Sequence, residues 1–335
     1  MPIKIIAEAG VNHNGELSKA RKLINIAADA NVDFVKFQTF KVENVISKKA
    51  TKTTYQMKNT SNSQTLYEML KKLEFNKNEF QSLQKYCLEK EIKFLSTPHD
   101  IESVDFLNQL GIEYFKIASG DINNYPLLKK IGLLKKKVIL STGMSNLREI
   151  EEAINVLYKH GLSQNKIILL QCTSEYPSLI KDSNLMAMVK MKDFFRVKVG
   201  YSDHTLGYET SLAAVALGAE IIEKHYTFDK TSEGPDHLAS LEPSELKEFV
   251  LKIRNVESAL GTSKKKPSLS EKKNMKKVRK SIVASREIRV GEIFSESNLA
   301  VKRPGNGLSP MYWTEIIGKK STKNYKSDDQ IEKKS

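Results

Sequence analysis

Cysteine is nearly absent from this chain: Cys87 and Cys172 are the only two in 335 residues. Two thiols cannot build a disulfide scaffold or a Cys-rich zinc module, and they fit a reducing compartment. No apolar run approaches the roughly 18 residues that a membrane-crossing helix needs. The opening stretch, MPIKIIAEAG, turns acidic too soon for a signal peptide and reads as a strand. A soluble, cytoplasmic protein without membrane contact is therefore expected. Disorder is excluded by composition, since 40% of residues are hydrophobic and 28% charged.

Charge of one sign is concentrated at one end. The formal net charge is +14, yet residues 1–260 hold 35 basic and 32 acidic residues against 19 and 8 from residue 261 onward. Residues 264–280 alone carry nine bases, one acid and no aromatic residue. Nucleic-acid binders spread such charge over a folded face with interleaved aromatics. This stretch reads instead as a solvated linker, and no nucleic-acid partner is expected.

Eight apolar, β-branched runs recur in the first 230 residues: 3–9, 34–40, 93–97, 114–118, 138–141, 166–171, 197–201 and 220–226. Most are continuous rather than alternating, as in strands buried on both faces. Helical periods lie between them, at 17–30, 80–90, 101–110, 146–160 and 210–217, and a helix over 245–259 follows Glu242, Pro243 and Ser244. Eight strands alternating with helices over about 250 residues predict a (β/α)8 barrel; a doubly wound sheet is the alternative. Some forty polar residues between the second strand and Phe80 read as a lid or a flexible excursion. The resulting organisation is a barrel over 1–260, a basic linker over 261–278 and a small, mostly irregular or β domain over 279–335.

A barrel gathers its chemistry at the C-terminal ends of its strands. Those ends carry Glu8, Lys36 with Gln38, Thr97, Lys116 with Ser119, Ser141, Ser174, Ser202 with His204, and Glu223 with His225. Two lysines inside strand ends are costly unless paired. With a ring of hydroxyls they describe a pocket for phosphate and carboxylate; the alternative is structural pairing with Glu8 or Glu223. His204 and His225 end neighbouring strands and can share a divalent metal. Two protein ligands suit an exchangeable ion such as Mn²⁺ better than structural Zn²⁺. Glu8 stands among apolar neighbours, a setting that raises a carboxyl pKa and suits acid–base work. His13, His99 and His237 fall in top-face loops, and His160 at a helix end.

The ordered motifs AEAGVNHNG, VKFQTF, FLSTPHD, FKIASGD with NNYP, ILSTGM, CTSEYP, GYSDHT and EKHYT followed by GPDH resemble the sialic acid synthase family, and VKRPGNG…GKK resembles its antifreeze-like (SAF) domain. That resemblance implies condensation of phosphoenolpyruvate with an N-acetylated amino-sugar aldehyde to a nine-carbon 2-keto-3-deoxy acid and phosphate. By the same resemblance Lys36, Thr97, Lys116, Ser119, Ser141, Ser174, Ser202 and His204 would hold phosphoenolpyruvate. His204 and His225 would bind Mn²⁺, with Mg²⁺ or Co²⁺ as substitutes. Glu8 would be the acid–base residue. Gln38, Asp121, Tyr176 and Asp236 would face the sugar, and Arg303 would reach its acetamido group from the SAF domain of a homodimer partner. N-acetylmannosamine, giving N-acetylneuraminate, is the first expectation for the sugar. A 2,4-diacetamido-2,4,6-trideoxy hexose, giving N,N'-diacetyllegionaminate or a relative, is the second.

Three positions depart from the family pattern. Ser174 replaces Asn or Thr, His99 stands where Phe is usual, and Asp121 replaces a commoner Glu. Two other classes stand beside the synthase: a Schiff-base aldolase using Lys36 or Lys116, and a binding protein without turnover.

Overall fold

The order of apolar runs becomes an order of strands. The computed structural model describes residues 2–61 and 63–333. The chain divides into two compact units, Met1–Gly261 and Thr262–Ser335. In the first, β1 (Lys4–Gly10), α1 (Leu17–Asp29) and β2 (Phe34–Thr39) are followed by three short helices, α2 (Val42–Val45), α3 (Thr54–Asn59) and α4 (Leu66–Leu73). The alternation resumes with α5 (Lys77–Glu89), β3 (Lys93–Pro98), α6 (Ile101–Gln109), β4 (Tyr114–Ile117), α7 (Tyr125–Leu134), β5 (Lys137–Ser141) and α8 (Leu147–Lys159). It ends with β6 (Ile167–Cys172), α9 (Leu185–Phe195), β7 (Lys198–Asp203), α10 (Glu209–Ala216), β8 (Ile221–His225) and α11 (Pro243–Leu260).

All ladders in this unit are parallel, in the order β3-β2-β1-β8-β7-β6-β5-β4, and β3 lies beside β4 to close the ring. The result is the (β/α)8 barrel rather than the doubly wound sheet. Helix starts follow local chemistry. Thr65, Asn76 and Asn146 cap α4, α5 and α8, each with a glutamate three residues on that bonds back to the cap. Two helices escape a periodic reading. The buried stripe of α7 runs through Gly132, where a Cβ would lie 3.0 Å from His160 Cβ; a close helix contact there looks like a breaker in the sequence. In α9 only Met188 and Met191 are buried, too few to mark a stripe.

The barrel interior is layered. Ile6, Phe34, Leu95, Tyr114, Ile139, Ile168, Leu170 and Ile221 form a separate apolar plug. Two residues further along β1 to β5, β6 and β8 stand Glu8, Lys36, Thr97, Lys116, Ser141, Cys172 and Glu223. Side chains alternate along a strand, so i and i+2 share the inner face. The polar layer therefore sits directly on the plug, at the C-terminal mouth. Where β7, the one strand not represented in the plug, would add an apolar side chain stands Gly200, whose Cβ would meet Ile221 O at 2.3 Å.

In the second unit, within the basic linker, residues 269–278 form a helix, α12 (Leu269–Val278), started by a Ser268–Glu271 capping box and burying none of its residues. Ten residues without Gly or Pro behind such a cap favour helix despite the charge. Beyond it, β9 (Ser281–Ala284) pairs antiparallel with β10 (Leu299–Lys302), and α13 (Trp313–Ile316) follows. Ile282, Ala284, Ile288, Phe294, Leu299, Ile316, Tyr325 and Ile331 give this unit its own core.

Candidate active site

Strand register assembles the mouth. Glu8 is laterally paired with Lys36 on β2 and with His225 on β8, and Ser202 on β7 faces Glu223 on β8. Four charged side chains meet there, each 5% exposed or less. Lys36 Nζ lies 2.8 Å from Glu8 and 3.5 Å from Glu223, and Lys116 Nζ lies 3.1 Å from Glu223. Lys36 also donates to Thr97 Oγ1 at 3.1 Å, and Ser202 donates to Glu223 Oε1 at 3.0 Å. Two cations and two carboxylates compensate one another. The structural pairing posed from sequence is therefore present, and it lies beside a cavity rather than inside a packed core.

The protonation states differ across this quartet. Burial raises Glu8 to about 7, although Lys36 opposes it. Burial works on Glu223 too, but Lys116 and Lys36 more than offset it and hold Glu223 below the ordinary carboxylate range. Burial lowers Lys116, whereas Glu223 and Glu8 outweigh burial at Lys36 and raise it. One carboxyl thus sits near its titration point beside one that stays ionised, the separation that acid–base catalysis uses.

Hydroxyls surround the quartet. Glu8, Lys36, Gln38, Thr97, Lys116, Ser119, Ser141, Tyr176, Ser202, His204 and His225 all line one cavity of about 120 Å³, together with His99, Cys172 and Glu223. Ser141 Oγ is buried without a hydrogen-bond partner, an orphan that a bound anion would satisfy. Ser119 Oγ accepts from Gly143 N at 3.0 Å and lies 3.2 Å from Cys172 Sγ. Gly143 keeps this wall open. A Cβ there would lie 2.4 Å from Ser174 Oγ, 2.9 Å from Ser119 Oγ and 3.1 Å from Cys172 Sγ, which also places Ser174 beside the cavity.

The two imidazoles lie 5.5 Å apart, centroid to centroid. His204 Nδ1 is 2.7 Å from the Thr173 carbonyl, which fixes the hydrogen on Nδ1 and leaves Nε2 as an acceptor. His225 Nδ1 is buried without a hydrogen-bond partner. Burial lowers both pKa values, His204 to about 4 and His225 further, so both rings are neutral as ligands must be. No cluster of three or more His, Cys, Asp or Glu able to hold a metal occurs among the described residues. Two neutral imidazoles, one with an orphaned nitrogen, fit a weakly held divalent cation.

The β-strand alternation puts Asp203 and Lys224, the residues before these two imidazoles, on the outer face. They form an ion pair at 3.0 Å with both side chains fully buried. Asp203 also accepts from Thr205 N, Thr210 Oγ1 and Ser211 Oγ, and Lys224 donates to Thr205 O. This network ties the ends of β7 and β8 together behind His204 and His225.

Described residues of the insertion after β2 reach the mouth. Tyr55 of α3 lies 5.0 Å from the ring of Tyr176, which in turn lies 4.1 Å from His204 and 5.6 Å from His225. Asn59 Nδ2 donates to Pro235 O at 3.1 Å, and Gly234 N donates to Asn59 O. Tyr55 was not expected; only the length of the insertion pointed to it. Asp236 is buried beside the cavity, 3.9 Å from His225, and burial raises it to about 6 against the pull of Lys36.

One expected residue lies elsewhere. Asp121 does not border the cavity; its carboxylate is held by His99 and Asn124. Arg303 is exposed on the second unit. His13 stacks on Phe75 at 4.1 Å, and His237 bonds to Thr227 and Asn14; both support loops rather than line the cavity. Glu223, read from sequence only as an ion partner, bonds to both Lys116 and Ser202 and lies 3.5 Å from Lys36.

Comparison with known proteins bears on this geometry. Residues 23–265 match the NeuB family and residues 279–334 match the SAF domain. N,N'-diacetyllegionaminic acid synthase of Campylobacter jejuni is 57% identical over 98% of both chains. The protein of that name from Legionella pneumophila is 44% identical over 96% of this chain and 90% of its own. The crystal structure of N-acetylneuraminic acid synthetase from Leptospira borgpetersenii, in complex with citrate, superimposes with a TM-score of 0.72 at 38% identity, covering 82% of this chain and 90% of that one. No helix among the described residues is long and apolar enough to cross a membrane.

Proposed function

The chain belongs to the NeuB family, and on that premise we propose that it condenses phosphoenolpyruvate with an N-acetylated amino-sugar aldehyde and water to give a nine-carbon 2-keto-3-deoxy acid and phosphate. The observation that carries this reading is the compensated quartet of Lys36, Lys116, Glu8 and Glu223 within a ring of hydroxyls, beside two neutral imidazoles. A polyanion entering this layer trades carboxylate partners for its own phosphate and carboxylate oxygens, so the lysines need not be desolvated anew. Thr97, Ser119, Ser141, Ser174 and Ser202 supply neutral donors. The methylene carbon of phosphoenolpyruvate forms the new bond to the aldehyde carbon, whose oxygen takes up a proton. Water adds at C2 with loss of a proton, and the C2–O bond to phosphate then breaks. Glu8, near its titration point, is the group that holds and moves those protons. A divalent cation, Mn²⁺ first with Mg²⁺ or Co²⁺ as substitutes, would be held by His204 and His225 and supplies Lewis-acid polarisation of the aldehyde.

For the sugar, two relatives named N,N'-diacetyllegionaminic acid synthase, at 57% and 44% identity, favour the 2,4-diacetamido-2,4,6-trideoxy hexose over N-acetylmannosamine. Gln38, Tyr176 and Asp236 would face it. The same reading makes the working form a homodimer, with Arg303 of one copy reaching the acetamido group in the other copy's barrel. Phosphate release with each sugar, with and without Mn²⁺, tests the reaction; no release under any combination overturns it. Arg303→Ala should raise the sugar KM far more than that of phosphoenolpyruvate, and at sugar concentrations well below that raised KM a mixture of Arg303→Ala and Lys36→Met chains should be more active than the sum of the two alone. The lowered pKa of Lys116 keeps one second reading in play, a Schiff-base aldolase. Borohydride inactivation in the presence of substrate would establish it, and resistance would dismiss it.

A further inference from the structure

The wall between β3 and β4 differs from what the resemblance implies. Asp121 Oδ2 lies 3.0 Å from His99 Nδ1, and Asp121 Oδ1 accepts from Asn124 Nδ2 at 3.1 Å. Both carboxylate oxygens are thereby engaged within the wall. Asp121 does not border the 120 Å³ cavity, whereas His99 does. His99 also borders a second, open cavity of about 580 Å³, with Asn44, Asp100, Asn124 and Leu127. It is the one residue that faces both.

An ionised carboxylate only accepts, so the His99 nitrogen facing Asp121 carries the hydrogen. In the neutral ring Nε2 is then a lone-pair acceptor. It makes no hydrogen bond and is not sealed from solvent. Phe40, edge-on at 6.3 Å, helps hold the ring plane. In the strand order, β3 is three places from β8, so His99 stands across the mouth from the imidazole pair.

We propose that His99 Nε2 is a specificity-determining contact for the sugar. It accepts the N–H of a second acylamino group remote from the aldehyde, with the acyl carbon skeleton extending into the side cavity. Asp121 is a positioning residue that acts through His99 by fixing its tautomer. This rests on the reaction proposed above. It replaces a direct Asp121–sugar contact, which the shorter side chain and its two existing partners preclude.

Steady-state kinetics of the full chain with both sugars test it. The wild type should turn over the diacetamido sugar with kcat/KM at least tenfold above that for N-acetylmannosamine. His99→Phe should erase that preference, mainly through the KM of the diacetamido sugar, with the KM of phosphoenolpyruvate within twofold of wild type. His99→Gln, which restores an acceptor, should recover most of the loss. Asp121→Ala should lose about threefold to tenfold in wild type and nothing further in His99→Phe, and should shift the ¹⁵N imidazole signals of His99 away from the Nδ1–H tautomer. A wild type that releases no phosphate with either sugar sinks the reaction and this inference with it. A working wild type whose His99→Phe variant keeps its preference, or loses affinity for phosphoenolpyruvate equally, sinks the inference alone.

Discussion

Glu223 and Lys224 are neighbours in sequence and point opposite ways from β8. Glu223 faces inward, bonded to Lys116 and Ser202 in a layer that also contains an unpartnered Ser141 hydroxyl. Lys224 faces outward to Asp203, which has all its acceptors used by Thr205, Thr210 and Ser211. Both are buried ion clusters, and burial alone does not tell them apart. What separates them is saturation. The outer pair is closed and holds two strand ends in register; the inner quartet keeps spare hydrogen-bonding capacity beside a cavity. A buried charge with every partner present is architecture, and one with capacity left over is a site.

That contrast can be broken by substitution. Removing an inner charge should hurt turnover most. Lys36→Met should lower kcat/KM by about 10³-fold or more, while its cost in Tm stays below that of an outer charge, because Glu8 can take up a proton and Glu223 keeps Lys116; an equal drop in Tm would erase the distinction. Removing an outer charge should do the reverse. Lys224→Met strands Asp203 and should destabilise by about 3–5 kcal/mol, a fall of about 10 °C in Tm. Asp203→Leu combined with Lys224→Met should regain part of it, checked by calorimetry. If Lys224→Met left Tm unchanged, the outer pair would not be structural.

A smaller effect is expected from pH. Burial lowers His13 to about 3, with His237 contributing, and lowers His237 to about 4. Folded pKa values below the ordinary 6.5 mean that the unfolded chain binds more protons. This stability is full above pH 6.5 and is lost as pH falls towards 4. Glu8 and Asp236, raised to about 7 and about 6, work in the opposite sense, losing stability as pH rises through those values. Between pH 6.5 and 4.5 the wild type should therefore lose more Tm than His13→Phe, which keeps the stacking on Phe75 but cannot protonate. Parallel curves would remove His13 from this account. The least effect is expected from Ser268→Ala, which should loosen α12 by about 1 kcal/mol, seen in hydrogen exchange of residues 269–278, with turnover unchanged. Altered turnover would give that helix a role not assigned to it.

The barrel and its polar layer were legible because eight buried strands each ended in a residue too polar for its neighbours, as with Lys36 in FVKFQ and Glu8 in IIAEAG. Strand alternation then converts position into facing. Side-chain partnerships were not legible. Nothing in the chain order says that Asp121 turns from the cavity to His99, 22 positions away, or that Tyr55 reaches Tyr176 across a long insertion. The basic stretch is solvated, as its charge suggested, but its composition did not show the helix that a four-residue cap at Ser268–Glu271 starts there.

Gly143 shows how much of the cavity depends on one missing methyl group. Three side chains from two strand ends, Ser119 after β4 and Cys172 and Ser174 at the end of β6, converge on the space that a Cβ would claim. Gly143→Ala would act as a stopper delivered by the chain itself, far from the apolar plug. Mixed with wild-type chains, such a silent copy would lower turnover in proportion to its share if each chain works alone, and out of proportion if it does not.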